Sequence, residues 1–260
     1  RGAIAPGYRA DLVLLDDLKE FHVNRVWIAG ELTAEEGTYL QEVHLHDISS
    51  VKGSVVVEDF SKEKFKMHLK SGHVHVIGIL PGGVVTKKET ADIQLDENGE
   101  FVRDPKVDIV KTAVVERHQG TGNVACGFLK GYGIKEGAVA LSIAHDSHNI
   151  IVVDVSDEEM EAAVNALIAQ EGGIVLVKDG QVIESMPMPI AGLMSDCSGE
   201  WVDQKLTDIH EKAYSELGIC GDVEPVMTLC FMSLAVIPEI KLTDMGLFDV
   251  TTFSFISTEA

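Results

Sequence analysis

Short apolar runs broken by glycine-bearing turn dipeptides constrain this chain most. Asn98-Gly99 and Asp179-Gly180 each stand between strand-like segments. Such dipeptides suit tight hairpins because both residues tolerate positive φ. Val84 to Leu95 and Phe101 to Val102 flank the first, and Ile174–Val177 and Gln181–Glu184 flank the second. Gly53 to Glu58, His73 to Leu80 and Val107 to Val115 also read as strands, and Lys62–Lys70 as an amphipathic stretch with Phe65 and Leu69 at helical spacing. Hairpins exclude a purely parallel sheet.

Two longer helices complete the pattern. From about Asp157 to Gln170, Met160, Val164, Leu167 and Ile168 form one stripe, Ser156 and Glu159 make a capping-box pair, and Gly172 ends the helix. Gly199 to Leu217 carries Val202, Leu206, Ile209 and Ala213, with Ser198 as cap and Gly218 as stop. The fold class expected is α/β, a mixed sheet with hairpins and flanking helices.

The first 30 residues have a different texture. Asp11 to Asp16 reads as a buried strand, Phe21 to Ile28 as a second, and Gly30-Glu31 as the turn after it. Two or three strands cannot bury both faces alone, so this segment calls for partner strands. The chain opens Arg1-Gly2-Ala3, directly inside patterned sequence, and reads as a piece of something longer. The texture changes after about residue 45, which gives two regions, 1–45 and 46–260.

Charge narrows the partners. The 260 residues carry 21 Lys and Arg against 42 Asp and Glu, a formal net charge of −21. Such a surface repels nucleic-acid phosphates and anionic membranes. Val226 to Pro238 is the longest nearly apolar run, too short for a membrane span of about 20 residues. No signal peptide is visible. Cys126, Cys197, Cys220 and Cys230 form no CxxC pair, so a reducing cytoplasmic compartment is expected.

Two polar clusters follow apolar strands. His145-Asp146-Ser147-His148 lies between Ala138–Ala144 and Ile150–Val153. Two imidazoles and a carboxylate in four residues can converge on a metal or polar ligand; equally, Asp146 and Ser147 can simply hold a turn. His145 and His148 are the metal candidates. The second cluster is Glu116-Arg117-His118-Gln119-Gly120-Thr121-Gly122-Asn123. Its G-x-G-x-x-A spacing formally matches a dinucleotide fingerprint but lacks a clean acidic partner, and a ligand- or domain-facing turn fits better. His44-x-His46 and His73-x-His75 place imidazoles on one strand face without a completed ligand set. Met186 to Asp196 is an apolar loop suited to a pocket wall, a lid, an interface or ordinary packing.

The opening Gly2-x-Ile4-x-Pro6-Gly7-x-x-Ala10-Asp11-Leu12-Val13-x-x-Asp16, continued by Val26-x-x-x-Gly30, resembles the segment that leaves the amidohydrolase barrel and completes a small β-sandwich. The stretches Val114 to Asn123, Ala144 to Asn149, Pro189 to Asp196 and Lys241 to Asp244 look like the adenine deaminase family of that superfamily, over essentially the whole chain. The resemblance implies metal-dependent hydrolysis of adenine to hypoxanthine and ammonia, with manganese or iron as the divalent metal. It makes residues 1–45 sandwich strands and 46–260 a C-terminal α/β domain. The family's metal ligands lie on a barrel that this sequence lacks, so none carries over, and the chain is expected to be inactive alone. Its expected partners are the barrel and adenine through the parent enzyme; in a rival reading the chain is a non-catalytic oligomerisation or regulatory module that buries its 186–194 loop against a second copy of itself. An amidohydrolase acting on another cyclic amidine is a further reading. Glu116, His118, His145, Asp146 and His148 are the substrate-proximal candidates.

Overall fold

The structure, a computed structural model, describes residues 1–44 and 46–260. Residue 45, where the sequence places the boundary, lies outside the described residues. The chain divides into two compact units, Arg1–Asp47 and Ile48–Ala260.

The first unit is an antiparallel meander of β1 (Leu12–Leu15), β2 (Val23–Ile28), β3 (Glu31–Glu35) and β4 (Thr38–Tyr39). The turn between β2 and β3 is Ala29-Gly30, both at positive φ, one residue earlier than the sequence suggests. Strand β1 is not buried. Val13 and Leu14 are 60% and 44% exposed, because a single sheet offers no second layer to cover them.

The second unit is a mixed α/β fold. Its strands are β5 (His73–Ile79), β6 (Thr86–Asp92), β7 (Gln94–Leu95), β8 (Phe101–Val102), β9 (Ile109–Val115), β10 (Val124–Lys130), β11 (Ala138–Leu141) and β12 (Ile150–Asp154), then β13 (Gly173–Lys178), β14 (Gln181–Pro187), β15 (Ile240–Thr243), β16 (Gly246–Asp249) and β17 (Ser254–Phe255). The helices are α1 (Asp157–Ala169), α2 (Gly199–Ser215) and α3 (Pro225–Cys230). The main sheet runs β14-β13-β11-β12-β9-β10-β5-β6, antiparallel except between β10 and β5.

Both faces of this sheet are covered, which explains why β9, β11, β12 and β13 read as nearly continuous apolar runs. Met160, Val164 and Leu167 of α1 pack with Ala140, Val152 and Val175. Their sheet neighbours Val139, Ile151 and Leu176 point the other way, into a core with Ile209 and Ala213 of α2 and Leu229 of α3. The alternation is the period-two geometry of a strand.

Helix α1 starts where its cap predicts. Ser156 Oγ accepts from Glu159 N at 3.4 Å. The reciprocal arm differs: Asp154 Oδ1, not the Glu159 carboxylate, accepts from Ser156 N, at 2.7 Å. Ile168 is only partly buried, and Ala163 takes its place in the stripe. In α2 only Ile209 and Ala213 are buried, while Val202 and Leu206 are half-covered.

Two expected elements are absent. Residues 62–70 make one 3-10 turn, Lys62–Phe65, and then extend. The backbone donors a helix would need go elsewhere: Met67 N and His68 N donate to the Glu100 carboxylate, and Leu69 N to Gly99 O. Residues 54–58 are extended without a ladder; Val56 N donates to Arg117 O at 2.8 Å, and Val55 and Val57 pack on the α1 side of the core. The Asp179-Gly180 hairpin forms with both residues at positive φ. At Asn98-Gly99 only Gly99 has positive φ, and Asp96 Oδ1 closes the turn by accepting from Asn98 N and Glu100 N.

Candidate functional site

The three dense motifs meet at one end of the sheet. The first leaves β9 at Val115 and returns into β10 at Val124, its antiparallel partner. Glu116 folds the intervening turn onto itself. Its carboxylate accepts from His118 N, Gln119 N, Thr121 N and Thr121 Oγ1. Burial opposes ionisation of Glu116, but these donors win and hold it below the usual carboxylate range. The glycines thus serve a strand-to-strand turn, and no helix follows them, so a dinucleotide loop is excluded.

The second motif joins β11 to β12. His145 N donates to Cys230 O at 2.7 Å, and His148 N to Ala144 O at 2.6 Å. His148 has φ of 53°. The two imidazoles lie nearly parallel, 6.0 Å between centroids, and His145 meets Phe231 edge-on at 5.4 Å. Asp146 Oδ1 sits 2.7 Å from His145 Nδ1. His118 Nε2 donates to Ser147 O at 2.8 Å, which places its proton on that nitrogen. His118 therefore secures the neighbouring turn. Burial, then the charges of His145 and Arg117, lower the pKa of His148. Its Nδ1 is buried with no partner among the described residues.

Arg117, which lies between the candidates Glu116 and His118, is a residue that the sequence does not single out. Its side chain is 1% exposed. Nε donates to His148 O at 2.5 Å and Nη2 to Ala191 O at 3.2 Å, while its backbone N donates to Asn149 Oδ1. No carboxylate pairs with it among the described residues, and burial lowers its pKa, with Glu116 opposing. One guanidinium thus joins all three motifs through backbone carbonyls. The third motif is shaped around it: Ala191 and Gly192 are at positive φ, and a Cβ on Gly192 would lie 2.6 Å from Arg117 Nη1. Ser142 Oγ anchors the same loop by donating to Gly192 O. The available sequence signal was Ala191-Gly192, a turn with no side chain where the arginine lies.

The donor set does not fit a metal centre. His145 Nδ1 faces Asp146, the His145 and His148 rings stack instead of converging, and His118 points to a carbonyl. Among the described residues no group of three or more His, Cys, Asp or Glu side chains converges to hold an ion. His73 and His75 lie on one strand but face different partners, Asp92 and Ser257 O, and exposed His44 lies 3.8 Å from Glu42. Among the described residues no helix is long and apolar enough to cross a membrane, and the four cysteines are free.

The adenine deaminase C-terminal domain pattern matches residues 83–254. Over all 260 residues the chain is 65% identical to "Adenine deaminase 2" of Desulfotalea psychrophila, and it covers 45% of that protein. It is 48% identical over 259 residues to "Adenine deaminase" of Ligilactobacillus salivarius, again 45% of the relative. "Adenine deaminase 2" of Carboxydothermus hydrogenoformans is 46% identical over 98% of this chain. The chain thus spans about half the length of the curated relatives it matches. With the match covering most of the second unit and all three motif loops, this chain belongs to the adenine deaminase C-terminal domain family.

Proposed function

We propose that this chain is the C-terminal part of a cytoplasmic enzyme that hydrolyses adenine to hypoxanthine and ammonia. The divalent metal that activates water in this reading is held by a barrel domain outside this chain. The residues here act by shape, and the surface built from His118, His145, Asp146 and His148 lines or closes the adenine site. The observation that carries the reading is the Arg117 junction. A buried guanidinium that fixes three loops to each other gives their exposed side chains a rigid, pre-organised arrangement, as binding surfaces require.

His148 suits such a surface. Its lowered pKa keeps the imidazole neutral near pH 7, able to donate from one nitrogen and accept at the other. His145 and Asp146 are more exposed, their side chains at 46% and 73%.

The test is His145→Ala and His148→Ala in the full-length enzyme. A fall in kcat/KM of about tenfold or more, with unchanged melting temperature, is expected for loss of a positioned polar group. Unchanged kinetics in a folded protein would remove these residues from the site. A separate assay checks the division of labour: the 260-residue chain should not release ammonia from adenine, and a rate comparable to the full enzyme would refute the reading.

A further inference from the structure

A groove of about 420 Å³ lies at the opposite end of β9 from the motif loops. Three segments form it: 103–108 before β9, 133–135 before β11, and 218–221 between α2 and α3. Its volume falls within the roughly 300–1,000 Å³ of small-ligand sites.

The walls are fixed to one another by hydrogen bonds. Arg103 Nη2 donates to Ile134 O and Gly133 N to Asp108 Oδ1, both at 3.0 Å. Lys135 N donates to Leu217 O at 2.8 Å. Glycine lets the walls come this close: a Cβ on Gly133, at φ of 79°, would lie 2.7 Å from Cys220 N. A Cβ on Gly218 would lie 3.0 Å from Lys135 Cδ and 3.2 Å from its Cβ and Cγ, so the Lys135 stem runs along the bare face of Gly218. That packing restrains a side chain that is otherwise costly to order.

The lining is basic in a chain whose net charge is −21. Arg103, Lys106 and Lys135 stand against one carboxylate, Asp108, an excess of two positive charges. Lys106 and Lys135 are exposed, so their ammonium groups are open to a ligand. Neither pairs with a carboxylate among the described residues, whereas Glu136, beside Lys135, and Glu216 are both taken up by Lys178, at 2.6 and 3.4 Å. Asp104 and Asp222, the acids next along the chain, line other cavities.

An excess of two positive charges suits a compact dianion. A phosphate monoester carries a charge of about −1.5 to −2 at pH 7, and lysine binds phosphate as a point charge. Pro105 and Val107, both exposed, add an apolar wall for the organic remainder of such a molecule.

We propose that this groove binds a phosphate monoester, with the phosphate on the ammonium groups of Lys106 and Lys135, the charge of Arg103 adding to theirs, and the organic part along Pro105 and Val107. The site is separate from the motif loops, and it holds for this chain whether or not the longer protein deaminates adenine.

The 260-residue chain, which contains the whole groove, is titrated at low salt with ribose 5-phosphate, adenosine monophosphate, inorganic phosphate and ribose, and followed by calorimetry and amide NMR shifts. At least one ester should bind one-to-one with a Kd of about 1 mM or below, more tightly than inorganic phosphate, and ribose should not bind. The shifts should centre on Lys106, Gly133, Lys135 and Cys220. Lys106→Met and Lys135→Met should each weaken the binding about tenfold or more, the loss expected for one charge-assisted contact. Lys87→Met, which removes an exposed lysine of β6 that also lacks a carboxylate partner among the described residues, should leave it unchanged. The proposal fails if no ester binds at millimolar concentration, if inorganic phosphate binds as tightly as the esters, if the shifts centre elsewhere, or if Lys87→Met weakens binding as much as Lys135→Met does. Should one of the two groove variants not fold, the other decides the question together with the location of the wild-type shifts.

Discussion

Arg117 and Asp154 are each 1% exposed, and each solves the problem of a buried ionisable group differently. Arg117 keeps its charge and spends its donors on carbonyls of His148 and Ala191. Asp154 keeps its proton, and the sign of its effect on stability follows. Its folded-state value, about 8, lies above the ordinary 3.8. Between those limits the folded state retains a proton that the unfolded chain has released. The contribution of Asp154 to stability is therefore whole below about pH 4 and declines as pH rises to about 8. Asp154→Asn cannot ionise and keeps an Oδ1 acceptor for Val155 N and Ser156 N. Denaturant unfolding at pH 5 and pH 8 should show the variant gaining on the natural sequence by at least about 1 kcal/mol across that interval. Parallel profiles would show that Asp154 is ionised in the folded state. Neither role was legible beforehand. Arg117 looks like any charged residue in a turn, and only the fold brings His148 and Ala191 to it.

At the level of elements, a local signal succeeded wherever its own residues closed the structure. The Asp179-Gly180 turn and the Ser156 and Ser198 caps of α1 and α2 form as the sequence implies. Failures occurred where another segment intervened. The spacing of Phe65 and Leu69 suggested a helix, but Glu100 and Gly99 take the backbone donors of 67–69. That competition is tertiary and invisible to periodicity. Glu159 matched a capping box, yet Asp154 had already taken the Ser156 amide. This arrangement sets a prediction for α1. Ser156→Ala removes only the acceptor for Glu159 N, while Asp154 still holds the amides of Val155 and Ser156 that lead into the helix. The cost should be about 0.5–1 kcal/mol, the lower half of the range for caps. Asp154→Ala removes the acceptor for two amides and should cost more. Thermal melts of the two variants order them; a larger loss for Ser156→Ala would overturn the shared cap.

For the whole molecule, the alternation of strands, hairpins and helices indicates the class of fold but not the distribution of stability. That distribution follows from burial. Strands β9, β11 and β12 are buried at every position, between the α1 face and the α2–α3 face. In the first unit, among described residues, only Thr33 is buried. Amide protection scales with the free energy of the opening that exposes each hydrogen bond. Opening β9 or β12 breaks a core on both faces, so it requires global unfolding. Opening β1 to β4 uncovers almost nothing in this chain. Hydrogen exchange on the 260-residue chain should therefore show Ile109–Val115 and Ile150–Asp154 as the slowest amides, exchanging only through global unfolding. The amides of β1 to β4 should exchange at least 100-fold faster, a gap of about 2.7 kcal/mol. If added barrel domain slows the first unit alone, its exposed Val13 and Leu14 have found their missing layer. Equal protection of both units in the isolated chain would mean that the meander is stabilised by something other than the burial of its own side chains.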